Sequence, residues 1–341
     1  MTFRGRGLGP APGSLGGVPL GEAMGRWNNW LEARFTWLIL AFLALGVLCP
    51  SLAKFVFIAP YFIAVIMFLV ALRCRLADVA GALRSPGKIG LLLFLTYLLM
   101  PFFAWIVAKG CFAHEPQLAA GLVLINSLPV AATCSMWAGI AGGDLALGLT
   151  AVSLTTLCSG LATPGVLALF IGTMIDFDPG PLMRGLFWTV MVPVTLGLIV
   201  GERRRAFVDG HGPQVALLIK PFMLSMLAIN AALLVPYVEG IPPLELARLY
   251  LVVFMQMMGG YLLGFAITTL LGLDYSTSIT MTYAATMRNN GAGILIAVSY
   301  FSPLMALPIT LNTLIQQPIA STIYKFYRPW RARRDGRARE F

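Results

Sequence analysis

A chain of 341 residues that is 58% hydrophobic and only 11% charged, with a mean hydropathy of +0.83, cannot cover an ordinary water-facing surface, since average soluble domains are about 25% charged. Its net charge of +10 is accounted for below by where the cations fall, so no nucleic-acid partner is needed. Apolar runs of about 17–25 residues, enough for ~30 Å of hydrocarbon, recur from Trp37 to Tyr324, and solid blocks without alternation exclude an outer-membrane barrel.

Residues 1–30 are rich in Gly and Pro and read as a disordered cytoplasmic leader; a cleavable signal needs an apolar stretch nearer Met1. A single transmembrane domain is expected over 31–325, with spans at 33–49, 54–72, 89–108, 117–140, 145–172, 183–200, 215–236, 246–271, 276–299 and 304–325. The links are short and hold the turn formers Pro50, Pro116, Pro179, Pro213, Pro242 and Pro303. Residues 326–341 read as a basic cytoplasmic tail lying against anionic lipid.

Ten spans put both termini on one side. The loops there hold the groups Arg4 to Arg34, Arg73 to Lys88, Arg203 to Arg205 and Lys325 to Arg339, eighteen of the 24 cations, against Lys54, Lys109, Arg184 and Arg248 opposite. That bias places both termini in the cytoplasm and the protein in a cell inner membrane. The five cysteines, Cys49, Cys74, Cys111, Cys134 and Cys158, are odd in number and form no CxxC, which argues against a disulfide framework or a zinc site.

The fourth and ninth spans break the apolar pattern alike. The fourth carries Asn126, Ser127, Pro129, Thr133, Cys134 and Ser135; the ninth carries Thr280, Thr282, Thr286, Arg288, Asn289, Asn290, Gly291 and Gly293. Cut near residue 180, the chain gives two five-span sets, about 31–175 and 181–325, and an odd number forces opposite orientations. Unpaired backbone in hydrocarbon costs several kcal/mol per group, so such breaks persist where they line a polar cavity or lie inside protein. The plainer reading is a proline kink and glycines that let helices pack. Two matched breaks favour a transport site.

The stretch Leu128 to Trp137 (Leu-Pro-Val-Ala-Ala-Thr-Cys-Ser-Met-Trp), with Gly143-Asp144-Leu145, Thr150 to Leu157 and Thr163-Pro164, resembles the fourth and fifth helices of the bile acid:sodium symporter family. Met287-Arg288-Asn289-Asn290-Gly291 resembles that family's crossover in its ninth helix. The resemblance implies an all-α polytopic membrane protein of ten transmembrane helices, in two inverted five-helix repeats whose discontinuous helices four and nine cross. It also implies a core of helices three to five and eight to ten beside a four-helix panel, and uptake of organic anions with sodium.

Two departures bear on that sodium. The family's sodium sites use a Ser-Asn pair after the first break, where Cys134 and Ser135 stand here. They also use a glutamate four residues before a glutamine, where Ala284 and Arg288 stand here. A carboxylate is gone and a cation has entered, so sodium coupling is in question and no cofactor is implied. None of the fourteen acidic residues falls near a predicted midplane; Asp144 and Asp274, which flank the broken spans, read as helix caps.

Arg288 and Lys220 are the two cations inside predicted spans away from a loop. Lys220, about one and a half turns from an end, reads as snorkelling to the headgroups. Arg288 sits near mid-span, where a lone charge costs at least ~2.5–3.5 kcal/mol. Three partners fit it: carbonyls at the broken fourth helix, with Arg288 replacing sodium; the substrate's anionic group; or backbone, in a purely architectural role. With it, Asn289, Asn290, Thr133, Cys134, Ser135, Asn126 and Thr286 are the candidate substrate- and ion-binding residues, and each can instead serve helix–helix hydrogen bonding.

The chain thus reads as a secondary transporter of a small organic anion, working by alternating access within membrane lipid. Arsenite-efflux permeases, similar in fold, use a cysteine in helix four, which makes Cys134 the basis of an oxyanion-export alternative. A receptor or structural protein without flux is another. Membrane enzymes need sets of His, Asp or Glu; His114 and His211 fall in loops on opposite sides, which argues against an enzyme. Composition leaves the oligomeric state open.

Overall fold

Prolines and short polar links cut the apolar sequence into helices. The computed structural model describes residues 34–334 except 76, 78–84 and 176–177; the expected leader and the last residues of the tail lie outside them. The regular structure among the described residues is helical. In chain order, α1 is Phe35–Leu48, α2 is Pro50–Arg73, opening as a 3-10 helix, and α3 is Pro86–Cys111, with a π-helical turn at Leu95–Leu99. Next come α4 at Pro116–Ser127, α5 at Thr133–Ile140 and α6 at Leu145–Phe170. α7, Pro179–Leu186, passes through a second π turn into α8, Val192–Arg203. A short α9, Arg205–Gly210, precedes α10 at Gly212–Val238 and α11 at Pro243–Leu270. The chain continues with α12 at Tyr275–Thr286, α13 at Asn290–Tyr300 and α14 at Pro303–Arg334.

Six helices among the described residues are long and apolar enough to cross a membrane. Most helix ends fall within a few residues of the expected spans. α14 differs, carrying on to Arg334 through the segment read as a tail. Arg and Lys are good helix formers, and cations suit a helix C-terminus, so the basic sequence prolongs the helix.

Local chemistry sets the ends. Proline in the first turn opens α3, α4, α7, α10 and α11, where its missing N–H has no intrahelical acceptor anyway. Asp144 caps α6, accepting from the Leu147 N–H at 3.0 Å, and Asp274 caps α12, accepting from the Thr277 N–H at 2.9 Å. Partial burial pushes the Asp274 carboxyl up, but hydrogen bonds from Thr277 and the Lys88 charge outweigh it and hold the carboxyl below its ordinary value.

Gly142 (φ 83°) and Gly272 (φ 72°) end α5 and α11 in the left-handed region. The following N–H groups, of Gly143 and Leu273, reach back to the carbonyls of Ala138 and Thr268, closing the same C-cap motif twice. The two turns meet. The Asp144 N–H donates to Thr280 Oγ1 at 2.7 Å, and the Tyr275 hydroxyl donates to the Ala141 carbonyl at 3.0 Å.

α8 lies along α2, α10 along α1, α12 along α11 and α14 along α4. A Cβ on Gly197 or Gly201 of α8 would strike the Phe68 or Leu72 carbonyl of α2, the close approach that small residues permit. Trp188, Leu196, Leu251, Met255 and Leu262 face outward, a surface suited to lipid. α4 and α12 are enclosed: every residue from Leu118 to Ser127 and from Thr277 to Thr286 is buried. Their broken ends therefore meet in the interior.

Candidate substrate site at the helix breaks

α4 stops at Leu128, whose ψ is 156°, and α12 stops at Met287, whose ψ is 116°. Both chains run extended through the gap and pair antiparallel at Val130 and Arg288. The Asn289 N–H donates to the Pro129 carbonyl at 2.9 Å and the Ala131 N–H to the Met287 carbonyl at 3.0 Å. Pro129 suits the first gap because it has no N–H to satisfy.

Neighbouring helices serve the groups that remain. The Val130 N–H donates to Thr155 Oγ1 of α6 at 3.0 Å. The Arg288 N–H donates to Gln316 Oε1 of α14 at 3.0 Å, and Gln316 Nε2 donates to the Arg288 carbonyl at 3.1 Å. Left unpaired, each such buried group would cost about 1–3 kcal/mol.

The Arg288 side chain turns inward and is 0% exposed. Nη1 donates to the Leu128 carbonyl at 3.2 Å; Nη2 donates to Ala285 at 2.6 Å and to Thr96 at 3.4 Å. Thr96 belongs to the π turn of α3, a distortion often found at functional sites. A hydrogen bond to a charged group contributes about 1.5–3 kcal/mol net, so three offset the ~2.5–3.5 kcal/mol of placing arginine mid-membrane. Ala284, one turn before, is fully buried, and no Asp or Glu is among the buried residues described. The guanidinium is thus ringed by carbonyl oxygens with no carboxylate.

Beside the crossover lies a cavity of about 310 Å³. α2 lines it with Ile66, Val70 and Arg73, α10 with Ala216, Ile219, Lys220 and Met223, and α14 with Gln316 and Gln317. Of the residues that the sequence singled out, Arg288, Asn289, Asn290, Thr133 and Ser135 border this cavity. Asn290 is tied into a polar cluster: its Oδ1 accepts from Asn312 at 2.9 Å and its Nδ2 donates to Gln316 at 3.3 Å. The Thr133 hydroxyl accepts from Gln317 Nε2 at 3.2 Å, while Trp137 Nε1 donates to Gln317 Oε1 at 2.8 Å.

Asn126, Cys134 and Thr286 are buried outside the lining. Asn126 donates to the Leu122 carbonyl at 3.5 Å and Thr286 to the Thr282 carbonyl at 3.0 Å, each within its own helix. Sequence reasoning did not select Arg73, Thr155, Gln316 or Gln317; the Gln316-Gln317 doublet inside the last apolar span was the available signal. Lys220, expected to reach the headgroups, shares the cavity face of α10 with Ala216, Ile219 and Met223.

Residues 60–243 match the sequence model of the Sodium Bile acid symporter family. The chain is 28% identical over 286 residues to "Uncharacterized protein YbaS" of Bacillus subtilis, covering 81% of this chain and 91% of that relative. To "Uncharacterized sodium-dependent transporter YocS" of the same bacterium it is 29% identical over 274 residues, covering 79% and 83%. With "Probable sodium/metabolite cotransporter BASS1, chloroplastic" of Arabidopsis thaliana it shares 25% over 321 residues, covering 90% and 77%. The chain belongs to the Sodium Bile acid symporter family and is a membrane transporter, not an enzyme.

Proposed function

We propose that this transporter moves a small organic anion across a cell inner membrane by alternating access, with Arg288 standing in for a coupling sodium ion. The observation that carries the reading is the fully buried guanidinium held by the carbonyls of Leu128, Ala285 and Thr96. The relatives' names speak of sodium dependence. Ala284 and Arg288, in place of the glutamate and glutamine that the family resemblance implies, set this chain apart from that coupling. A cavity that Arg73, Lys220 and Arg288 border, with no Asp or Glu among its described lining residues, favours an anion. Cys134, the residue an oxyanion exporter would use, lies outside that lining, which favours the organic anion.

α4 with α5, α7 with α8, and α12 with α13 count as one passage each and the six-residue α9 as none, so that α1 to α14 make ten passages. These divide into inverted sets at about 31–175 and 181–325. One likeness supports this: the last helix of each set serves that set's gap, Thr155 of α6 in the first and Gln316 of α14 in the second. The cation bias supports cytoplasmic termini, which puts Arg73 and Lys220 at the cytoplasmic mouth.

Proteoliposomes and a panel of radiolabelled organic anions test the reading. Uptake equal in sodium and in choline is the expected outcome. Strict sodium dependence would sink the replacement of the ion by Arg288, and flux of no anion in the panel would sink the choice of cargo.

A further inference from the structure

Arg288 has no exposed surface, and both its Nη atoms are held by backbone carbonyls. It is poorly placed to read a substrate's charge. The other cations of the cavity lining are Lys220 and Arg73. Lys220 stands on the stripe Ala216, Ile219, Lys220 and Met223, which is the i, i+3, i+4, i+7 face of α10. At the other end of this stripe Met223 packs on the start of α13, its Cγ 3.5 Å from where a Cβ on Gly291 would stand. Lys220 is three residues away, hence about 4.5 Å along the axis at ~1.5 Å per residue.

An anion held at Lys220 therefore points toward Gly291 and Asn290 at the start of α13, and the uncharged hydrogen-bonding groups of Thr133 and Gln317 and the apolar Ile66, Val70 and Ile219 line the same cavity. The described lining residues include cations and no Asp or Glu, and low-dielectric walls focus the field of such a lining. On the organic-anion reading above, we infer that Lys220, flanked by Arg73, is the residue by which the cavity selects anions, and that Arg288 is not. The fitting cargo is a short organic anion: its charged group meets Lys220 and a neutral polar end meets the crossover.

The field at this place is measurable without the natural cargo. Ala132 is exposed and lines the cavity, so Ala132→Cys supplies a reporter thiol; Leu149→Cys, 43% exposed on the same lining, supplies a second. Rates are taken with two methanethiosulfonate reagents, the anionic ethylsulfonate and the cationic ethyltrimethylammonium. Peptide mass spectrometry reads each thiol separately, so the native cysteines stay. Relative to a free thiol, the anionic reagent is favoured by about 10-fold or more, the lower end of electrostatic focusing. Lys220→Gln cuts that preference several-fold, Lys220→Glu reverses it and Lys220→Arg keeps it. An anion preference that persists unchanged in Lys220→Gln and Lys220→Glu overturns the role of Lys220 and leaves the organic-anion reading standing. A cation preference in the parent protein overturns the organic-anion reading itself. No reaction at either thiol overturns both, because the cavity is then closed to small anions.

Discussion

A guanidinium inside a membrane protein needs acceptors, and Arg288 finds backbone carbonyls for both Nη atoms, while its buried Nε has no hydrogen-bond partner. Its own peptide group depends in turn on Gln316, which both accepts from and donates to it. Gln316→Leu orphans that buried N–H and C=O together and also removes an acceptor from Asn290. The expected loss is about 1–3 kcal/mol for each orphaned group, read by denaturant titration in detergent; a loss below about 0.5 kcal/mol would mean that water serves these groups. Arg288, Asn289 and Asn290 stood out in the sequence as polar residues in an apolar span. Carbonyls at the broken fourth helix were one of the expected partners, and Leu128 is such a carbonyl; Ala285 and Thr96 were not legible, because they accept through main-chain oxygen that any residue carries. Lys220 was legible in depth only: its apolar neighbours surround the helix, so nothing in the sequence told which face turns to the cavity.

The broken helices were legible because Pro129 and the run Arg288-Asn289-Asn290-Gly291 interrupt apolar sequence at matching places. The π turn of α3 was not. Leu95-Thr96-Tyr97-Leu98-Leu99 contains no residue that marks a widened turn, and the turn is set by its neighbours: Arg288 draws on the Thr96 carbonyl and the Tyr97 hydroxyl donates to Thr155. The α2–α8 contact was legible only as spacing, since Gly197 and Gly201 stand four residues apart and let two backbones touch. Gly197→Leu forces these helices apart. Overpacking costs about 1–3 kcal/mol, so the melting temperature in detergent falls; a melting temperature equal to the parent's would show that the helices do not pack this closely.

Charge governs the molecule as a whole. The orientation proposed from the cation bias predicts a fluorescent C-terminal fusion to a cytoplasm-folding reporter in a bacterial host, and no activity from a C-terminal alkaline phosphatase fusion. The opposite pair of results would invert the bundle and move Arg73 and Lys220 to the outer mouth. The tether on Arg288 also has an energetic consequence. A coupling ion enters from one bath and leaves into the other, and the drop in its electrochemical potential does work on the cargo. A side chain returns with the protein and delivers no such work. On the proposed reading, with Arg288 as a compensating cation fixed in place, each cycle moves the anion's own charge, on which 100 mV acts with about 2.3 kcal/mol. From a negative interior that work is directed outward, a roughly fifty-fold bias by the same figure. On the proposed reading, the sodium-free vesicles concentrate the anion when their interior is made positive and lose it when it is made negative. Such a protein vents or equilibrates its cargo instead of accumulating it.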